Sequence, residues 1–302
     1  MISFYVETTS FSAAWARLRR CHQSIRKKNR RYLRLLGVSG VGKSFLAKKY
    51  KEAHPNYIAG DATVVPIVHF SIPSSPSKKQ MYQAFLRGLG VTSTAGSAEE
   101  LRERAERLCR ACKVELILID EIHHFIDRGS ARTYATAADA LKELIESINL
   151  PVVLIGAPRA EIIFLHNSQL RSRVTSTFWL LPFKSTDISQ LMGFVYALTS
   201  DLPESTRQWI ASQDVATRIF FATDGIHRNI VRLIAEFEEE IANGEKDNMA
   251  TLSKVFREHF WPNPSPKCNP FRKDFEPRRL SMTGEPYEPS PLDGDNHGIQ
   301  TP

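Results

Sequence analysis

The chain has 302 residues, 42% hydrophobic and 24% charged, which is enough for a large core and a second, smaller domain. It has no run of about 18 apolar residues, which excludes a membrane-spanning helix, and the N-terminal MISFYVETTSFSAAWARLRR carries its charges after its apolar part, unlike a secretory leader. The net charge of +7 points to an anionic partner, of which nucleic acid is the commonest. Cys109-Arg-Ala-Cys112 is a lone pair without zinc-site spacing, and Cys112 fits the apolar stripe Leu101, Ala105, Leu108. With Cys21 and Cys268, four cysteines and no leader suit a reducing, cytoplasmic setting.

In chain order, Arg17 to Arg34 holds nine Lys or Arg and no acidic residue. Trp15, Leu18, His22 and Ile25 keep a helical spacing through it, which predicts a basic amphipathic helix. Tyr32–Leu36 reads as a short strand, followed by a glycine-rich loop and a helix from Phe45 to Tyr50. Val64–Ile72 reads as a strand, with Pro66 near an edge or a strand start. Lys78–Leu89 reads as a helix ended by Gly90, and a capping box at Ser97–Glu100 opens the next helix. Val114–Ile119 and Pro151–Ile155 are continuous apolar runs, the pattern of strands buried on both faces. A helix over Thr133–Ile148 lies between them. A helix near Ala160–His166 and a strand near Val174–Leu181 close the series.

Strands alternating with helices predict an α/β fold, a parallel sheet covered by helices on both faces. Only helical patterns remain from Lys184 to about Trp261. The expected division is a basic segment over 1–30, a nucleotide-binding core over 31–182, a helical domain over 183–261 and a tail over 262–302. That tail holds nine of the seventeen prolines and is expected to be disordered.

Gly37-Val38-Ser39-Gly40-Val41-Gly42-Lys43-Ser44 matches G-x-x-x-x-G-K-[ST] between a strand and a helix. Its glycines let backbone amides turn onto a β-phosphate, and the helix N-terminus adds positive potential. Lys43 is placed to reach the β- and γ-phosphates, and Ser44 to ligate Mg²⁺. Leu116-Ile117-Leu118-Ile119-Asp120-Glu121 is the matching second motif, an apolar strand ending in two carboxylates at the ligand-binding edge. Asp120 is expected to hold Mg²⁺ and Glu121 to polarise an attacking water. Hydrolysis is fast only with a further cation at the γ-phosphate, and Arg173, then Arg171, are the candidates ahead of the last strand. Arg228 lies off the apolar stripe Ile226, Ile230, Leu233, Ile234, Phe237 and can face a nucleotide. The adjacent His123 and His124 point about 100° apart on a helix, which favours local polar contacts over shared metal ligation.

The order GVSGVGKS, LILIDEIHHF, VVLIGAPRA, QLRSRV and DGIHRNIVRLI resembles an AAA+ ATPase, and more narrowly the TniB/TnsC-type ATPases of transposons. The resemblance covers about Tyr32 to Glu240. It implies a small C-terminal helical lid, ATP and Mg²⁺ as ligands, and self-assembly into a ring or filament on duplex DNA. It also implies partners: a transposase and a target-selector protein of the TniQ type. By motif, Lys43 and Ser44 resemble Walker A, Asp120 and Glu121 Walker B, Arg173 or Arg171 the finger, and Arg228 sensor 2. DNA contacts are implied at Lys78, Lys79 and Thr92, after the second strand. One departure stands out: Ile155-Gly156-Ala157-Pro158 offers no polar sensor 1, which implies slow, switch-like hydrolysis. A helicase loader or origin-binding ATPase of the DnaC/IstB type is the alternative, and a winged-helix domain after the lid would mark it.

Overall fold

A computed structural model describes residues 8–27, 30–74, 76–127 and 131–289, apart from the side chains of 131–133. Residues 1–7, part of the stretch read as unlike a secretory leader, and the tail from 290 lie outside the described residues. Two compact units divide at Leu180 and Leu181.

The larger unit contains α1 (Thr9–His22), β1 (Tyr32–Leu36), α2 (Lys43–Glu52), β2 (Tyr57–Ala59), β3 (Ala62–Val64), β4 (Ile67–Ser71), α3 (Lys78–Gly88) and α4 (Ala98–Ala111). It continues with β5 (Leu116–Asp120), α5 (Ala131–Ile148), β6 (Val152–Gly156), α6 (Glu161–Leu165), α7 (Ser168–Arg173) and β7 (Ser176–Trp179). Five strands form a parallel sheet in the order β4-β5-β6-β1-β7. Leu36 lies opposite Gly156, and Ser71 opposite Asp120, so the strand ends line up along one edge.

The continuous apolar runs arise because the sheet is buried on both faces. Ile117, Ile119, Val152 and Leu154 join the core under α3, α4 and α5. Leu116, Leu118, Val153 and Ile155 point the other way, into the core with Leu46, Ala47 and Tyr50 of α2. Phe11, Ala14, Leu18 and Cys21 of α1 are buried in that same second core. The N-terminal helix therefore covers the sheet and is not a separate basic segment. It starts at Thr9 and stops at His22, so much of the basic run lies beyond its end. Pro66 immediately precedes the edge strand β4, as its missing N–H favours. The antiparallel hairpin β2–β3, with Ala59 opposite Ala62, was not expected. Both capping boxes are present: Ser77 with Gln80 at α3, and Ser97 with Glu100 at α4.

The smaller unit is helical: α8 (Ile188–Leu198), α9 (Glu204–Ile210), α10 (Gln213–Thr223), α11 (His227–Ala242) and α12 (Met249–His259). Ile230, Leu233, Ile234 and Phe237 form the buried stripe of α11. Residues 262–289 correct the expected disorder of the tail. Phe271 and Leu280 are buried in the helical core, and Trp261, Phe275 and Tyr287 pack against it. Arg218 Nη1 donates to the carbonyls of Pro270 at 2.6 Å and Arg272 at 3.0 Å, and Tyr287 Oη donates to Ala222 O. The segment is aperiodic, but its apolar side chains are anchored one by one, and side chain–backbone bonds take the place of a ladder. No helix among the described residues is long and apolar enough to cross a membrane.

Candidate nucleotide-binding site

The Gly37–Ser44 loop leaves the buried end of β1 and enters α2. Gly37 N donates to Gly156 O at 3.3 Å, which ties the loop to the end of β6. A Cβ on Gly37 would stand 2.2 Å from the Leu180 carbonyl oxygen, so only glycine fits. Gly40 and Gly42 take φ of 84° and 99°, the left-handed region that glycine enters without strain. Val41 is buried in the sheet's second core and anchors the loop. Gly42 caps α2 with no side-chain acceptor, so the first-turn amides keep their donors for an anion. Lys43 is buried, and its Nζ donates to Gly37 O at 2.7 Å and Val38 O at 2.9 Å, which holds the ammonium across the loop.

Asp120 ends β5 with its side chain 2% exposed. Burial pushes its carboxyl up, but the neighbouring His69 and Ser44 side chains and the hydrogen bond from the Glu121 amide outweigh that and hold it below the usual aspartate value. The Glu121 amide donates to Asp120 Oδ1 at 2.8 Å, and His69 Nε2 lies 3.7 Å from Oδ2. The two motif residues named for Mg²⁺ are thus neighbours. Their donor set is oxygen only, hard ligands that suit Mg²⁺.

Glu121 sits in the left-handed region, φ 56° and ψ 37°, a conformation that costs a side-chain-bearing residue about 1–2 kcal/mol. His123 Nδ1 is 3.2 Å from Glu121 Oε2 and 3.3 Å from the Ala157 amide. Burial, then Arg159 and His124, push His123 down to about 4. It is therefore neutral near pH 7, and its Nδ1 accepts from Ala157 N–H rather than donating to Glu121. The end of β6, which carries no polar side chain of its own, thereby gains an imidazole beside the Glu121 carboxylate. Sequence reasoning placed His123 in local polar contact and missed this partnership across 34 residues. His124 Nδ1 lies 2.8 Å from Ile72 O. Glu121, His123 and His124 bring possible ligand atoms within 4.8 Å of one another, but both histidines already use Nδ1 on the backbone.

The other predicted residues are dispersed. Arg171 and Arg173 lie on α7, ahead of β7, whose Ser176 pairs with Leu33 near the start of β1. They are at the N-terminal edge of the sheet, opposite the phosphate loop. A five-residue strand at about 3.3 Å per residue separates the edges by roughly 16 Å. Arg173 Nη2 pairs with Glu146 at 2.8 Å. Lys78 pairs with Glu143 at 2.5 Å, whereas Lys79 and Thr92 are exposed in the same region. In the smaller unit, Asp224 and Gly225 take φ of 53° and 65° and turn the chain into α11. Arg228 is exposed on that helix, off the buried stripe.

The family described as Bacterial TniB protein matches residues 2–182. The chain belongs to the TniB family. A comparison with curated protein sequences gave no match. This TniB-family chain is similar in fold to the Aeropyrum pernix ORC2 protein, solved as ADPNP-ADP complexes, at 15% identity and TM-score 0.59 over 85% of this chain and 70% of that one. It is likewise similar to Cdc6p from Pyrobaculum aerophilum, at 13% identity and TM-score 0.60 over 88% of this chain and 72% of that one. A third likeness is to the Aeropyrum pernix ORC1 protein in complex with DNA, at 14% identity and TM-score 0.55, over 84% and 66% of the two chains. At these identities the likeness establishes the fold, that of an AAA+ ATPase, which agrees with the resemblance in the TniB motifs.

Proposed function

We propose that this chain is an ATP-dependent, DNA-binding regulator of DNA transposition, which assembles on duplex DNA and links a TniQ-type target selector to the transposase. The observation that carries the nucleotide part is the glycine loop, tied to the end of β6 and spanned by Lys43, with the buried Asp120 carboxylate ending β5 beside Ser44. In this reading the loop amides and Lys43 bind the β- and γ-phosphates. Ser44 and Asp120 hold Mg²⁺, which would neutralise charge developing on the phosphates. Glu121 accepts a proton from the attacking water. His123 lines that carboxylate where no sensor side chain ends β6, in keeping with slow turnover.

The finger assigned to Arg173 sits on the edge of the sheet away from its own loop. An arginine so placed serves a neighbour's nucleotide, which supports assembly of several subunits. Arg171 is the fallback, and Arg228 is the remaining nucleotide-sensing cation. Lys79, Thr92 and Lys78 contact DNA. Lys78 first leaves Glu143, an exposed pair worth no more than about 1 kcal/mol. Membership of the TniB family favours the transposition role over origin binding, to which the ORC and Cdc6p likenesses lend only the fold. Electron microscopy with duplex DNA tests the proposal. Ordered assemblies are expected with a slowly hydrolysed ATP analogue and not without nucleotide; their absence in both would overturn it.

A further inference from the structure

Five arginines, four of them within residues 17–31 and the fifth at 173, converge on one cleft. Arg17 and Arg20 come from α1, Arg30 and Arg31 from the approach to β1, and Arg173 from the end of α7. They line a cavity of about 250 Å³ at the N-terminal edge of the sheet, where Tyr32 opens β1 and Ser176 opens β7. The phosphate loop lies at the other end of the same strands, so this cleft is not part of the subunit's own nucleotide site, and Arg173, proposed above to serve a neighbour's nucleotide, only borders it.

The cations are arranged as a receptor and not as a self-neutralised cluster. Arg30 is fixed by the backbone: its Nη1 donates to Ile25 O at 2.6 Å and also to Lys27 O. Arg173 shares its charge with Glu146 at 2.8 Å. Among the described residues, Arg17, Arg20 and Arg31 enter no ion pair. Several like charges around one small cavity repel each other, and an anion with several oxygens relieves that repulsion. The guanidinium fork matches phosphate oxygens two at a time. Thr175 and Ser176 add hydroxyl donors at the same wall.

We propose that this cleft is a second phosphate-binding site, which seats a phosphate group of the duplex DNA backbone. Its exposed mouth suits that source, because Arg17 and Arg20 stand on the solvent side of α1, three residues apart, and can follow a strand. The choice of DNA rests on the DNA-binding reading above. Inorganic tripolyphosphate carries the same chemistry without the nucleic acid and separates the two.

The full chain, held with a slowly hydrolysed ATP analogue, is titrated onto labelled duplex DNA by fluorescence anisotropy across a salt series. The Arg17→Ala/Arg20→Ala variant is expected to bind at least tenfold more weakly. Its log–log salt slope flattens by about 0.9 for each lost contact, so roughly 1.8 per subunit. Arg31→Ala shows a smaller loss, and Arg17→Lys/Arg20→Lys recovers part of it. Nucleotide affinity and melting temperature stay at the wild-type level, since these arginines are exposed and outside the phosphate loop. Tripolyphosphate binding, measured by calorimetry with the loop saturated, falls in the same variants. If the alanine variants keep wild-type DNA affinity, slope and tripolyphosphate binding, the cleft is not a phosphate site, and DNA binding elsewhere on the protein stands. If wild type binds no duplex but takes tripolyphosphate through Arg17 and Arg20, the phosphate site stands, and the DNA assignment falls together with the DNA-binding reading. If wild type binds neither, both are overturned.

Discussion

The Ser44 hydroxyl lies beside the Asp120 carboxylate and helps to hold it charged, across the width of β6, and this proximity joins two motifs that are 76 residues apart in the chain. Neither residue packs an apolar core at that point. The loop is shaped by one glycine with no room for a Cβ and two at positive φ, and β5 ends in a carboxylate that stays charged although buried. Such a carboxylate persists only where donors or a cation meet it. The Mg²⁺-nucleotide site proposed above would supply that cation.

Lys43→Ala tests the loop. It removes the only side-chain cation between Gly37 and Ser44, and two loop carbonyls lose their donor. ATP affinity is expected to fall more than tenfold, over about 1.4 kcal/mol. Calorimetry showing unchanged affinity would remove the phosphate-loop assignment.

Arg173 tests assembly. It lies on the edge of the sheet away from its own loop, so turnover per subunit is expected to rise with protein concentration. Mixing Arg173→Ala with Lys43→Ala is expected to restore part of the activity, each variant supplying what the other lacks. No recovery at any ratio, with both variants still assembling, would place the stimulating cation elsewhere.

How much of this was legible beforehand depended on range. The apolar runs of β5 and β6 and the glycine loop declare themselves locally, because burial on both faces leaves no polar position in a strand. The hairpin β2–β3 was missed, although Gly60-Asp61 between two short β-prone runs is a hairpin signal. The pairing of His123 with the end of β6 and the shared cleft of Arg173 and Arg17 were invisible, because the parallel sheet creates them by placing β6 beside β5 and β7 beside β1. The tail misled for another reason. Proline content reports the absence of a repeating ladder, and Phe271 and Leu280 bury themselves without one.

The tail makes a stability prediction. Leu280 is fully buried among the helices of the smaller unit, so Leu280→Ala is expected to cost about 3 kcal/mol. Deletion from Pro262 would also remove the Arg279–Asp224 pair, with contacts of 2.5 and 2.6 Å, beside the turn into α11. Thermal melts with an unchanged midpoint for Leu280→Ala would contradict this packing.

Stability is also expected to fall on mild acidification. Burial pushes His227 down to about 4, its ring stacked on Phe183 at 4.6 Å. Above pH 6.5 it is neutral in both states and contributes nothing to the pH dependence. Between 6.5 and 4 the unfolded chain takes up a proton that the folded one refuses, and stability drops by about 1.4 kcal/mol per pH unit. His123 acts in the same direction in the larger unit. Asp120, held below its ordinary value of 3.8, loses stability only at lower pH, outside this window. Denaturant melts from pH 7 to 4 check the slope. His227→Phe keeps the ring and is expected to flatten it; an equal slope in the variant would exclude His227 as the source.

The nucleotide-dependent switch is tested most directly by the duplex-DNA affinity of Glu121→Gln. The substitution keeps shape but removes the base, so hydrolysis is expected to fall by about 10²–10⁴-fold while ATP still binds. With the ATP state trapped, the variant should bind duplex DNA at least tenfold more tightly in ATP than in ADP, and its complexes should outlast those of the wild type. Equal DNA affinity in ATP and ADP, with ATP bound and hydrolysis lost, would contradict the account.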